Sequence, residues 1–212
     1  MCTQSQQKQK KSGFTLIEMI VVVAIISVVT VLVLFNNARL NSTILVSNTA
    51  YEIGLIVRES QVAGLGVKAT ADGFSASHGV HFDIAQPKTV ILFADKNGNG
   101  VYDPSNNELT QEYTITNSRA GSILGICKGS VLSTSTSNYC TTGNGEQTVD
   151  IVFTRPNPEA MFKVQDISTS PVEDYTGSIV ISTGFLNDVC RSVTIEKTGS
   201  VEISNAHCLP MQ

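Results

Sequence analysis

The chain is poor in residue types that carry out chemistry or bind nucleic acids. Its 212 residues include no tryptophan, three histidines and only 6% aromatic residues. Charged residues make up 15%, and the net charge is −4. The few aromatics exclude a surface built for base stacking. The acidic balance excludes a protein held on nucleic acid by bulk positive charge. The many Val, Ile and Leu residues exclude a disordered chain, and the length predicts one domain with enough residues for a core.

Positive charge and apolar residues are both concentrated near the N-terminus. Residues 1–13 contain three lysines and no acid, and without them the net charge is about −7. The segment Phe14–Phe35 is almost wholly apolar. As a helix it would be about 33 Å long, which spans a hydrocarbon core of about 30 Å. The lysines predict a cytoplasmic leader, so we expect the rest of the chain outside the cytoplasm.

Two features distinguish this segment from an ordinary secretory signal. No small-residue cleavage site follows Phe35, whereas Gly13 directly precedes the apolar run. Any cleavage is therefore expected after Gly13, which would leave the helix attached. The second feature is Glu18, because a carboxylate near the centre of a bilayer costs about 2.5–3.5 kcal/mol. Either its side chain reaches the headgroups, or it pairs with a cation such as a new α-amine on Phe14 of the same or a neighbouring chain.

The sequence KKSGFTLIE at Lys10–Glu18 resembles the signal of type IV prepilins and type II secretion pseudopilins. The resemblance implies that a prepilin peptidase cuts between Gly13 and Phe14 and that the Phe14 amine is methylated. It also implies that Glu18 aids docking of the subunit into a filament. The partners implied are the peptidase, an inner-membrane assembly platform and other pilin or pseudopilin subunits that pack through the N-terminal helix.

The segment ILFADKNGNGVYDPSNNE, with the short strands around it, is similar to the GspH/FimT group of minor pilins and pseudopilins. This resemblance implies an α+β, pilin-like fold, in which a long N-terminal transmembrane helix packs on an antiparallel β-sheet head. The expected divisions are a leader (1–13), a transmembrane helix (14–35), a helix that continues into the head (36–66) and a β-rich head (67–212).

Periodicity supports this organisation. The apolar residues Leu40, Ile44, Tyr51, Leu55 and Val62 are spaced by 4, 7, 4 and 7, which predicts one helix face packed on the head. Pattern also predicts that residues 155–158, Arg-Pro-Asn-Pro, form a rigid loop and that residues 197–199 form a hairpin turn. The predicted strands are Gly79–Asp83, Thr89–Ala94, Glu112–Thr116, Ser122–Cys127, Gln147–Thr154, Ser178–Ser182, Cys190–Glu196 and Ser200–Ser204.

The cysteines predict disulfides in the exported part. Cys2 lies in the leader, and the other four are Cys127, Cys140, Cys190 and Cys208. An extracytoplasmic location favours disulfides over zinc, because no C-x-x-C spacing is present. Four cysteines allow three pairings. Short loops favour Cys127–Cys140 and Cys190–Cys208.

A possible calcium site lies in the loop that begins at Asp95. Its spacing matches the first part of an EF-hand loop, and Ca²⁺ would take oxygens from Asp95, Asn97, Asn99, the Val101 carbonyl and Asp103. The twelfth position holds Asn106 where the motif requires Glu, and Glu108 comes two residues later. The alternative is a polar hairpin loop whose side chains bind their own backbone. Calcium is therefore a possible ligand, and no cofactor is required.

No catalytic arrangement is evident. The histidines, His78, His81 and His207, match no metalloprotease or nucleophile motif and are predicted to be solvated. Glu173 and Asp174 are interpreted as an acidic surface loop. The sequence therefore favours a structural subunit of a type IV pilus or type II secretion pseudopilus, in the inner membrane and then in an extracytoplasmic filament. The alternative is a major pilin or a filament-tip module for adhesion or DNA uptake. The basic residues are scattered along the sequence rather than grouped, so nucleic acid is not favoured as a partner.

Overall fold

The computed structural model describes residues 13–66, 77–116, 121–129, 146–166, 172–184 and 189–204, without the side chains of 35–41, 146–147 and 166. The chain divides into one compact unit that ends at Asn41 and a second that begins at Ser42. The leader up to residue 12, Cys140, Cys208 and His207, for which the sequence made predictions, lie outside the described residues. Element order and burial confirm an α+β architecture.

The helix α1 (Leu16–Leu65) is the first element. Its stretch Leu16–Leu34 has a mean hydropathy of 3.0 and none of its side chains is buried. This is the one helix in the described chain that is long and apolar enough to cross a membrane. The helix begins two residues after the predicted boundary at Phe14, because Thr15 serves as its N-terminal cap.

Ten strands follow in the described residues, and they form two antiparallel sheets. The six-stranded sheet has the order β3-β2-β1-β5-β6-β7, and the four-stranded sheet has the order β10-β9-β8-β4. The strands are β1 (Ser77–Asp83), β2 (Thr89–Asp95), β3 (Leu109–Thr114), β4 (Ser122–Lys128), β5 (Glu146–Thr154), β6 (Asn157–Asp166), β7 (Glu173–Tyr175), β8 (Ile179–Gly184), β9 (Cys190–Ile195) and β10 (Val201–Ser204).

The core lies between the second half of α1 and both sheets. Ala50, Ile53 and Val57 of the helix belong to one buried cluster with residues from each sheet. In the six-stranded sheet Val80 pairs with Leu92 and Ile151 across neighbouring strands, so these apolar side chains share the face toward the helix. The intervening residues face the other side of the sheet.

Every predicted strand overlaps an observed one, but two strands were missed. Strand β6 begins at Asn157, so the prediction of a loop over residues 155–158 was wrong for its second half. Only Arg155 and Pro156 form the turn, and Pro158 is tolerated because it stands near the start of the strand. Glu173 and Asp174 lie in β7, which is exposed and is the last strand of the six-stranded sheet among the described residues, and not in a loop.

The predicted buried face of the helix was also wrong. Ile44, Tyr51, Leu55 and Val62 are 58%, 59%, 67% and 71% exposed, and the side chain of Leu40 is not described. We call these four residues the exposed apolar stripe. At about 100° per residue they fall within about 40° of the helix circumference, roughly opposite the buried residues Ala50, Ile53 and Val57. The helix therefore has two apolar faces. The sheets cover the face with Ala50, Ile53 and Val57 and leave the stripe exposed.

Candidate functional site

The residues around the predicted cleavage point lie at the start of α1. Gly13, Phe14 and Thr15 precede the helix, which begins at Leu16. The Phe14 side chain is 81% exposed. One oxygen of Glu18, Oε2, accepts hydrogen bonds from the Thr15 backbone N–H at 2.8 Å and from the Thr15 hydroxyl at 2.9 Å. In return the Glu18 N–H donates to Thr15 Oγ1 at 3.3 Å.

This reciprocal pair is a capping box. The first N–H groups of a helix have no partner within the helix, and a Thr-x-x-Glu sequence supplies oxygens for two of them. The carboxylate also stands where the helix dipole favours negative charge. Glu18 is therefore directed back toward the backbone next to Phe14. Sequence reasoning missed the role of Thr15, although the spacing T-L-I-E was a sufficient signal for it.

Other polar side chains in the apolar stretch bind within the helix. Ser27 donates its hydroxyl proton to the Val23 carbonyl at 2.8 Å, and Thr30 donates to the Ile26 carbonyl at 2.7 Å. Such bonds remove the need for water, which a lipid environment does not provide. Glu18 is thus the one ionisable side chain in Leu16–Leu34, and it lies in the first turn.

The loop after β2 uses its side-chain oxygens on its own backbone. Asp95 is buried and accepts from the N–H groups of Gly98 at 2.8 Å and Gly100 at 3.0 Å. Asn97 accepts from the Asn99 N–H at 3.0 Å. The pattern continues from Asn99 to the Val101 N–H at 2.7 Å and from Asp103 to the Ser105 N–H at 3.0 Å. These bonds match the alternative of a self-capped polar loop.

Glu108, and not Asn106, closes this loop. Its side chain is fully buried, and its two oxygens accept from the N–H groups of Lys96 at 3.2 Å and Asp103 at 2.8 Å. Asn106 donates instead to Asp103. Among the described residues, no three His, Cys, Asp or Glu side chains are grouped as metal ligands. Calcium binding by this loop stays a prediction, for which calorimetric titration with Ca²⁺ is the direct measurement.

The loop folds back over the face of the six-stranded sheet that points away from α1. The Tyr102 ring lies 5.2 Å from the His81 ring and 5.5 Å from the Phe93 ring, between ring centres. Beneath it His81 Nδ1 is 2.7 Å from Asp150 Oδ1, which also accepts from the Tyr102 N–H at 3.3 Å. Burial raises the pKa of Asp150, and the hydrogen bond from His81 opposes this rise.

The prediction of solvated histidines was therefore wrong for two of the three. His78 is 1% exposed, and the His81 side chain is 15% exposed. Both belong to β1. His78 lies on the same face of the sheet as Val80, toward the core, whereas the Tyr102 ring covers His81 on the opposite face. The prediction rested on the small number of histidines and on how seldom polar residues are buried, and it did not use the position of each histidine on the strand.

Two of the predicted disulfide cysteines lie in the four-stranded sheet. Cys127 and Cys190 are both buried and disulfide-bonded. Cys127 stands opposite Val180 on β8, whereas Cys190 stands opposite Gly184 on the other side of the same strand. Two strand spacings and four residues separate them, too far for a bond to each other. The pairing with Cys140 and Cys208 stays a prediction.

Comparison with known families finds a match at the N-terminus. The model of the prokaryotic N-terminal methylation motif matches residues 8–34. Neither a curated protein nor a solved structure matches the chain. The matched segment contains the predicted cleavage point, the capping box and the apolar stretch Leu16–Leu34. It indicates a structural subunit of the pilin or pseudopilin type rather than an enzyme, and it fits a single-pass, membrane-anchored protein.

Proposed function

We propose that this chain is a minor pilin or pseudopilin, which is cut after Gly13 and then assembles into an extracytoplasmic filament. The observation that carries the proposal is the position of Glu18, the one acid in the apolar stretch Leu16–Leu34, which lies within the segment that matches the methylation motif. The GspH/FimT group is the subgroup that its loop sequence resembles. A major pilin would dominate sheared filaments, whereas a minor subunit would be scarce in them.

The capping box supports a direct role for Glu18 in assembly. Its Oε2 accepts two hydrogen bonds from Thr15, so the carboxylate is held at the start of the helix before any neighbouring subunit binds. Cleavage after Gly13 would create a positive amine on Phe14, at the same end of the helix. A carboxylate fixed there can accept the Phe14 amine of an adjacent subunit, and such a pair sets the axial register of two packed helices.

The exposed apolar stripe supports assembly by helix packing. Its spacing of 7, 4 and 7 residues fits the a and d positions of a heptad repeat, in which Asn48 and Arg58 take the two intervening seam positions. From Ile44 to Val62 the stripe is about 27 Å long, the same as the apolar stretch Leu16–Leu34. A neighbouring subunit's apolar stretch can therefore cover the whole stripe once it leaves the membrane.

The first test is the intact mass of the protein from membranes, with and without a co-expressed prepilin peptidase. We expect loss of residues 1–13 and gain of one methyl group only when the peptidase is present. A Gly13→Leu variant serves as the uncleaved control. A leader that stays attached to the wild-type chain beside an active peptidase would contradict the proposal.

The second test measures incorporation into sheared filaments. Glu18→Gln retains a side-chain oxygen for Thr15 but removes the charge, and we expect incorporation to fall at least about tenfold. Leu55→Ser in the stripe should lower it also, whereas Met161→Ser, an exposed residue of β6, should not. Equal incorporation of wild type and Glu18→Gln would refute the ion pair.

A further inference from the structure

A groove lies where the six-stranded sheet ends beside α1. Its volume is about 280 Å³, and it runs between helix residues and the end of β3. Ile53, Ile56 and Val90 are at most 8% exposed and form its apolar floor. On its two sides lie Glu52, Leu55 and Glu59 of the helix and Tyr113 of β3.

In the described part of the chain, β3 is an edge strand, because β2 is the one strand that pairs with it. An edge strand has one row of backbone groups available for a further strand. Tyr113 pairs with Val90 and Gln111 pairs with Leu92, so both point to the helix side of the sheet. A strand added to β3 would place alternate side chains in the groove, next to the side of α1 that carries Glu52 and Glu59.

The charges of the groove specify what those side chains should be. Its lining contains two carboxylates, Glu52 and Glu59, and no Lys or Arg. Both glutamates are exposed and lie seven residues apart on one side of the helix, while Glu59 accepts the Tyr113 hydroxyl proton at 2.6 Å. An apolar floor with an acidic border fits long basic side chains, whose stems cover apolar surface while their charged ends stay at the border.

We infer that the groove is a strand-addition site for an extended, lysine-bearing segment of a partner protein. Backbone bonds to β3 supply the affinity, and lysine stems on Ile53, Ile56 and Val90, with ammonium groups at Glu52 and Glu59, supply the specificity. The site is separate from the cleavage point. The inference depends on the geometry of the head, so a failure of processing after Gly13 would not refute it.

The test uses the full chain in non-ionic detergent micelles and two fluorescein-labelled octapeptides. One alternates Lys and Val, and the other alternates Glu and Val, so the apolar content is equal. Fluorescence anisotropy should show the Lys/Val peptide binding at least about tenfold more tightly, with a preference that weakens in salt. On binding, the amides of Leu109–Thr114 should gain protection from hydrogen exchange.

Matched variants separate a local site from general attraction to an acidic protein. Glu52→Gln with Glu59→Gln should weaken binding of the Lys/Val peptide about tenfold. Glu159→Gln with Glu202→Gln removes the same charge at exposed positions on β6 and β10 and should leave binding unchanged. Equal losses in both double variants, equal affinity for both peptides, or binding without protection of β3 would each overturn the inference.

Discussion

The two ends of α1 are both apolar, but they differ in how apolar residues are arranged. In Leu16–Leu34 they surround the helix, and every side chain is exposed. From Ser42 to Leu65 they form two opposite stripes, one of which is buried by the sheets. The first segment needs an apolar environment on all sides, such as a bilayer. In the second segment, one of the two apolar stripes is already buried within the chain.

This difference suggests a division of roles within a single helix. The segment Leu16–Leu34 can move from lipid into a protein environment, because its apolar side chains on all sides can pack against any apolar neighbour. The two-faced segment is specific, because Ala50, Ile53 and Val57 fit one particular set of strands. Its exposed apolar stripe is the part for which the described chain supplies no cover. The following predictions test this distinction between the two faces and the two segments.

The largest effect should separate the two faces. Ile53→Ala removes a side chain that is 1% exposed in the core, and we expect it to lower the free energy of unfolding by about 3 kcal/mol. Leu55→Ala, two residues away and 67% exposed, should change it by less than about 0.5 kcal/mol. Urea unfolding of the full chain in micelles measures both. Similar losses for the two variants would mean that both faces are buried in the isolated subunit.

Two helix glycines sharpen the same comparison. A Cβ on Gly64 would lie 2.3 Å from the Phe153 carbonyl oxygen of β5, so Gly64→Ala must push the helix from the sheet. We expect a loss of about 2 kcal/mol. On Gly54 the Cβ would meet side chains and no backbone, those of Ile203 at 3.3 Å and Val201 at 3.6 Å. Gly54→Ala should cost less, because alanine favours helix by about 1 kcal/mol. The reverse order would show that the helix does not approach β5 closely.

A smaller effect is expected at the start of the segment Leu16–Leu34. Thr15→Ala removes the hydroxyl from the capping box and should destabilise the first helical turn by about 1 kcal/mol. Hydrogen exchange at the amides of residues 16–19 should become faster, while amides near Val29 stay unchanged. Thr15→Ser, which retains the hydroxyl, is the control. If both variants exchange like the wild type, the cap does not hold the first turn.

The smallest effect concerns the contact between helix and β3. Burial, together with the hydrogen bond and the negative charge from Glu59, raises the pKa of Tyr113 from 10.0 to about 12. Since the raised pKa favours the neutral phenol in the folded chain, this stabilisation is present below pH 10 and is lost as the pH rises toward 12. Ultraviolet titration, with Tyr113→Phe to identify the signal, should show a lower pKa in Glu59→Gln. An unchanged pKa would show that Glu59 does not hold the phenol.

Several features were predictable because their signals are local. The apolar run predicts a membrane helix from about 19 consecutive side chains alone. Strands such as β1 and β9 were found by alternation and β-branched residues. The self-capping of the loop at Asp95 was one of two interpretations, since Asn, Asp and Gly in alternation satisfy their own backbone. For the candidate site, the positions of Gly13, Phe14 and Glu18 relative to the apolar run carried the prediction.

Other features could not be read from local pattern. Strand β6 begins with Asn-Pro-Glu, which favours a loop, and it forms because Ala160, Phe162 and Val164 pack into the core. His81 and Asp150 are 69 residues apart and meet only through the pairing of β1 with β5. Glu108 closes the loop at Asp95 because β3 returns beside β2, which moves the closing residue two positions beyond the motif.

The existence of a long helix, its apolar start and the strand-rich head follow from local propensity and periodicity, because each residue's neighbours in sequence carry those signals. The choice between the helix's two apolar faces does not follow from them. Both faces have helical spacing, and the better-spaced one remained exposed. Only the packing of two sheets on Ala50, Ile53 and Val57 decided which face was buried, because burial depends on surfaces that are distant in sequence and complementary in shape.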